Sequence, residues 1–210
     1  MVLKFGGTSV STAANWQRIA QIVRQRSQDG TQVLVVHSAL SGITDRLERL
    51  LEGALAGAHT PILDDIENRH RALAADLGVA VGDTLQRHFD DLRQLAAGIA
   101  LVREVSARTR ARVMSTGELM ATELGAAYLR TQGLDVRWAD ARRLLRADER
   151  EGASAKARAL SATCEFAPDD ALARELAAAS RIAITQGFIA SDGEGHTVLL
   201  GRGGSDTSAA

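Results

Sequence analysis

Lys4 stands at the end of a short apolar run, Met1 to Leu3, and is followed by Phe5, the diglycine Gly6-Gly7 and the hydroxyl pair Thr8-Ser9. An amphipathic stretch begins near Thr12. Strand, glycine turn and helix in that order form the layout of a phosphate site. Two adjacent glycines let the backbone take φ > 0 and let a polyphosphate approach the main chain with no Cβ in the way. The N–H groups at the following helix N-terminus add donors and partial positive charge. Lys4 adds a full charge beside them. The spacing is neither G-x-x-x-x-G-K-[ST] nor G-x-G-x-x-G, and an ordinary strand-to-helix turn with a surface lysine has the same composition.

Two other loops carry similar chemistry. Ser38-Ala39-Leu40-Ser41-Gly42-Ile43-Thr44 is rich in small and hydroxyl residues, and Gly201-Arg202-Gly203-Gly204-Ser205-Asp206-Thr207 repeats the basic residue and diglycine of the first turn. Both follow apolar runs. In an open α/β sheet, ligands sit beyond the carboxyl ends of the strands, so these three loops are expected to converge there.

The elements that must position them are readable from periodicity. Trp16, Ile19, Ala20 and Val23 mark one face of a helix over Thr12 to Gln28. Gln32 to Val36 is apolar on both faces, as expected of a buried parallel strand. A helix carrying Leu47, Leu50, Leu51 and Ala54 completes a βαβα unit. From Thr60 to Gly98 the pattern is helical alone. Thr60-Pro61 reads as N-cap and N1, Ile62, Ile66, Leu73 and Leu77 line a face up to Gly78, and a second helix from Asp83 buries Leu85, Phe89, Leu92, Ala96 and Ile99. This pair is expected to be a helical insertion over about residues 60–105, serving as plain packing or as a lid or interaction surface. A third helix, Ala107 to Arg130, has Ser115-Thr116-Gly117-Glu118 in its middle, where the pattern breaks. Leu134 to Trp138 and Arg181 to Thr185 read as strands, with Gln186-Gly187-Phe188-Ile189 as a glycine turn. Arg142 to Arg146 reads as a short element, 149–157 as polar and unpatterned, and the stretch after Asp169-Asp170 as a helix. A hairpin-like turn at Ser191 to Gly195 leads into a last strand, Thr197 to Leu200.

With 210 residues, 45% hydrophobic and 24% charged, the chain can bury a sizeable core. Its 25 Lys+Arg against 26 Asp+Glu give a net charge of -1, which offers no footprint for nucleic acid and no basic face for a membrane. The single cysteine, Cys164, excludes an intramolecular disulfide and reads as a small buried hydrophobe. No apolar run approaches the roughly 18 residues of a spanning helix, and no signal-peptide core is present, so a cytoplasmic protein is expected. The histidines show no metal-ligand spacing.

Lys-Phe-Gly-Gly-Thr-Ser-Val at Lys4 to Val10 resembles the N-terminal signature of aspartate kinases, within the amino acid kinase family. Relatives acting on glutamate, acetylglutamate, carbamate or UMP share the lysine and diglycine but usually not the whole heptapeptide. The resemblance continues in order through Val35 to Thr44, Ser115 to Leu119, Thr185 to Ile189 and Gly201 to Asp206. His37 and Thr207 depart from the usual pattern and touch the walls of the site.

The resemblance implies a three-layer α/β/α sandwich with a mostly parallel central sheet. It implies an ATP:L-aspartate 4-phosphotransferase, the first step toward lysine (through diaminopimelate), threonine and methionine, with ATP and a nucleotide-borne Mg²⁺. Lys4 would contact the transferred phosphate, with Gly6, Gly7, Thr8 and Ser9 around it. Ser38, Thr44, Glu118, Arg202, Gly203 and Ser205 would hold aspartate, and Asp206 would orient Lys4 or the metal's shell. The family's adenine-binding half and ACT domains lie beyond Ala210, so residues 1–210 are expected to be the N-terminal, substrate-binding portion of a longer homo-oligomeric enzyme, and inactive alone. Some family members are fused to homoserine dehydrogenase or diaminopimelate decarboxylase. A related carboxylate kinase and a non-catalytic amino-acid-binding or regulatory fragment are the alternatives.

Overall fold

The structure is a computed structural model that describes residues 1–201, apart from Asp29, 149–151, Glu165, Phe166 and Pro168. Strands β1 (Val2–Phe5), β2 (Val33–His37), β3 (Val136–Trp138) and β4 (Ile182–Gln186) form a parallel sheet in the order β1-β2-β4-β3. The register places Lys4 beside Val36 and Val36 beside Thr185. Phe5, His37 and Gln186 form the next row, at the carboxyl edge.

Helices flank this sheet. α1 (Ala13–Ser27) and α5 (Ala107–Thr131) pack on the face that carries Val33, Val35 and Ile184. α2 (Ile43–Leu55) lies against α5, and α3 (Thr60–Leu77) and α4 (Asp83–Val102) pack on α2 and α5 as an outer tier. The buried faces of α1, α2 and α4 are the ones periodicity marks, because an apolar stripe recurring every 3.6 residues has a single way to face a core. Short helices α6 (Ala141–Leu144), α7 (Ala155–Leu160) and α8 (Asp170–Ala179) complete the described part.

Four expectations need correction. The last strand is not in the central sheet. β5 (Ile189–Ser191) and β6 (Thr197–Leu199) pair antiparallel as a separate ribbon. The chain is turned away from the sheet by Phe188, whose φ of 70° puts a non-glycine residue in the left-handed region, so the turn's unusual geometry falls there and not on Gly187. α3 begins one residue early, with His59 rather than Thr60 at the capping position, and its buried face includes Leu63 and His70. The helix read over Ala107 to Arg130 stands as α5, which runs unbroken for 25 residues although the pattern breaks at Gly117. The stretch read as unpatterned, 149–157, runs into α7, whose six residues are too few to show a period.

Cys164 is buried in a second apolar cluster with Ala162, Ala190, Val198 and Leu200. No helix among the described residues is long and apolar enough to cross a membrane.

Candidate functional site

Gly7 of the first turn, the loop after β2 and Glu118 of α5 meet at the carboxyl edge of β1 and β2. Lys4 is an exposed residue of β1. After Phe5 the chain does not enter α1 directly. Gly7–Val10 forms a 3₁₀ turn, closed by Ser9 N–H donating to the Gly6 carbonyl at 3.0 Å. α1 starts later, capped by Thr12, whose hydroxyl accepts from Asn15 N–H. The exposed Thr8 is anchored through its carbonyl, which accepts from the Asn15 side chain at 3.2 Å.

Neither glycine of the pair uses its freedom to take positive φ. They differ in what surrounds them. A Cβ on Gly6 would meet nothing within 4 Å, so this side of the turn is open. A Cβ on Gly7 would lie 2.7 Å from the Ala39 carbonyl oxygen, closer than real contacts allow. Gly7 is needed so that the first loop can touch the second.

Ala39 is the meeting point. Its carbonyl faces Gly7, its methyl lies where a Cβ on Gly117 would come within 3.0 Å, and its N–H donates to Glu118 Oε1 at 3.3 Å. Gly117 thus lets α5 sit against Ala39, Ile43 and Leu47 and brings Glu118 to the loop. Ser38, half-buried at the end of β2, donates its N–H to the Phe5 carbonyl at 3.3 Å. Thr44 is exposed on the first turn of α2, just after Gly42, whose φ of 74° starts that helix.

Glu118 is 4% exposed. Burial raises its pKa from the ordinary 4.5 to about 7, with the Ala39 N–H and its own backbone N–H opposing the rise. No basic side chain among the described residues pairs with it. A buried carboxyl met by backbone N–H groups alone among the described residues has unused acceptor capacity, which an ammonium group would complete.

Residues that sequence reasoning missed hold this arrangement. Thr122, one turn beyond Glu118, donates to the Glu118 carbonyl at 2.8 Å and accepts from Gln186 Nε2 at 2.7 Å and Trp138 Nε1 at 3.0 Å. Gln186 Oε1 accepts from Ala141 N–H at 2.8 Å. This buried network fastens α5 to β3, β4 and α6. Trp16 donates to the Val10 carbonyl at 2.9 Å, and its ring occupies the notch left by Gly125, where a Cβ would come within 2.3 Å. His37 is fully buried against that ring, and its Nδ1–H donates to the Ser38 carbonyl at 2.8 Å. Burial lowers the His37 pKa to about 4, against the opposing effect of that hydrogen bond, so the ring is neutral near pH 7. A glycine inside a strongly helical pattern was the available signal for Gly125.

Arg202, Gly203, Ser205 and Asp206 lie outside the described residues. A separate cavity of about 570 Å³ lies between the β5–β6 turn, the start of α5 and α7, and none of the expected site residues among the described ones lines it.

The amino acid kinase family model matches residues 1–210, and the chain belongs to that family. Within it, the chain is 36% identical to the lysine-sensitive aspartokinase 3 of Escherichia coli, over all of this chain and 45% of that protein. It is 31% identical to an aspartokinase of Chlamydia trachomatis, over all of this chain and 44% of the relative. The crystal structure of E. coli aspartokinase III in complex with aspartate and ADP superposes with a TM-score of 0.77 at 36% identity, covering 99% of this chain and 45% of that one. The chain therefore spans less than half the length of the aspartokinases it resembles.

Proposed function

We propose that the complete protein transfers the γ-phosphate of ATP to the side-chain carboxylate of L-aspartate, giving 4-phospho-L-aspartate and ADP, and that residues 1–210 supply its amino-acid-binding part. This is the first step toward lysine, threonine and methionine. The observation that carries the reading is Glu118, a buried carboxyl with no basic partner among the described residues, held by the loop whose hydroxyls resemble the aspartate-binding loop of the family. The similarity to an aspartokinase crystallised with aspartate and ADP supports it.

The chemistry asks little of the protein beyond alignment and charge. The attacking carboxylate has an unperturbed pKa of about 3.9 and is already anionic at pH 7, so no general base is needed. One of its oxygens forms a bond to the γ-phosphorus while the bond to the ADP oxygen breaks. Lys4 neutralises charge on the transferred group, and the open side of Gly6 fits the approach of anionic phosphates. When bound, Mg²⁺ on the nucleotide supplies further charge neutralisation, with Asp206 orienting Lys4 or the metal's water shell. Glu118 receives the α-ammonium, Arg202 grips the α-carboxylate in a two-donor fork, and Ser38, Thr44, Gly203 and Ser205 complete the orientation. The enzyme works in the cytoplasm as a homo-oligomer.

The test is ADP release by the full-length protein with Mg-ATP and aspartate. Lys4→Ala should lower kcat by about 10²- to 10³-fold. Glutamate, one methylene longer, should not replace aspartate. Equal turnover of glutamate, or an unchanged kcat for Lys4→Ala, overturns the reading. The short span of the chain favours a second statement: residues 1–210 alone bind aspartate without turning it over, which calorimetry with aspartate, glutamate and ATP checks directly.

A further inference from the structure

The turn that receives phosphate and the loop that receives the amino acid belong to different strands, yet a phosphoryl transfer needs them in fixed relation. A carboxylate oxygen must reach phosphorus within about 3–3.5 Å and in line, and a misplacement of 1 Å can lower the rate by about a hundredfold. In this chain one side chain joins the two. The Ser11 hydroxyl donates to the Gly7 carbonyl at 2.6 Å and accepts from Ser41 N–H at 2.8 Å. Its partners are the main chain of the diglycine turn on one side and of the Ser38–Thr44 loop on the other. The same two stretches touch where Gly7 meets the Ala39 carbonyl, and a tie beside a contact fixes both distance and angle.

From this geometry we infer that Ser11 is a positioning residue for the transfer, locking the phosphate turn to the amino-acid loop so that the two substrates are held at reacting distance. The inference rests on the aspartate kinase reading. Ser11 touches neither substrate in this role. It is half-buried at the surface end of the 3₁₀ turn, so losing its hydroxyl opens no core cavity. Its loss should appear in the chemical step and only weakly in the binding of either substrate alone.

The experiment compares wild-type, Ser11→Ala, Ser11→Cys and Ser11→Thr in the full-length protein, with steady-state kinetics, thermal melting and amide exchange at Ser41. Ser11→Ala and Ser11→Cys should lower kcat about tenfold, with both KM values within about threefold of wild-type. Ser11→Thr, which keeps the hydroxyl, should restore kcat to within about threefold of wild-type. Exchange of the Ser41 amide should quicken about tenfold in the Ala and Cys variants, with melting temperatures within a few degrees of wild-type. An unchanged kcat in both Ala and Cys variants of an active enzyme overturns the inference. So does a loss of activity that follows the melting temperature and is not rescued by threonine. If the wild-type protein itself shows no aspartate-dependent ADP release, the kinase reading fails instead, and Ser41 exchange still reports whether the tie exists.

Discussion

The α3–α4 pair and the place where α5 crosses the strand ends treat their charges in opposite ways. On the outer helices acids and bases neutralise one another. Glu67 accepts from both Arg71 and Arg93, Arg93 also reaches Asp90 at 2.9 Å, Arg71 reaches Gln86 at 2.7 Å, and Asp65 pairs with Arg46 of α2. At the crossing, Glu118 has the Ala39 N–H and no basic partner among the described residues, and it is buried. A helix pair that only packs can meet its polar needs locally, and its ion pairs stay where water can share them. A site keeps a polar group short of partners, at a cost in stability, so that a ligand completes it. Of the two roles open to α3 and α4 in the sequence, the contacts with α2 and α5 support packing.

The largest test of this contrast is Glu118→Gln, which should act in opposite directions on binding and stability. On the aspartate kinase reading, aspartate affinity should fall by more than about a hundredfold, because the α-ammonium loses the buried counter-charge proposed for it. Stability should change with pH in a defined window. The folded-state pKa of Glu118 is raised, from 4.5 to about 7, so its contribution is fully present below pH 4.5 and is lost as pH rises to about 7. The wild-type protein should therefore lose roughly 3 kcal/mol across that window from this group. Urea unfolding at a series of pH values should show that slope in wild-type and its absence in Glu118→Gln. A slope that survives the substitution removes Glu118 as its source.

The next two changes compare glycines within helices. Gly125→Ala forces a Cβ against Trp16 and should destabilise by about 1–3 kcal/mol in urea unfolding, since neither the ring nor α5 has room to move. Gly98→Ala, on α4 with nothing within 4 Å of the new Cβ, should stabilise by about 0.5–1 kcal/mol through helix propensity. If both changes have the same sign, the two helices do not differ in packing as described. The smallest effect belongs to Arg93→Ala. It removes two part-exposed ion pairs and should cost no more than about 1 kcal/mol, shrinking further in high salt.

Much of the helical architecture was legible because a single stripe of apolar residues suffices to orient a helix, as on α1 and α4. The pairing of short strands was legible only in part. The hairpin-like turn at Ser191 to Gly195 pointed to the antiparallel pair of β5 and β6, but with three residues each, nothing in Ile189–Ser191 or Thr197–Leu199 shows that the pair stands apart from the parallel sheet. The left-handed Phe188 that separates β4 from this pair is invisible to a reading that looks for glycine at turns. Of the three loops expected to converge, the first two touch where Gly7 meets the Ala39 carbonyl, and the third, from Arg202 on, lies outside the described residues. The reason for the second glycine differs from expectation, because sequence cannot distinguish a residue freed for positive φ from one that must let another strand's carbonyl approach. Ser11 was hidden for a related reason: a serine directly after a motif looks like any turn residue until its two partners are seen.

The strand order has a consequence for how this protein is made. β4 sits between β2 and β3 in space but follows both in sequence, with 182–186 pairing against 33–37. During synthesis β1 and β2 can pair early, while the inner edge of β2 stays without its neighbour until nearly the whole described chain has emerged. Such distant pairing is slow to form, and an open hydrophobic edge invites wrong partners. β4 also brings Gln186, which fastens α5, and Gly187, whose N–H donates to the His37 carbonyl at 3.0 Å. The Ser38–Thr44 loop is therefore among the last parts to become rigid, and a nascent chain halted before residue 186 should be recognised by chaperones as unfinished.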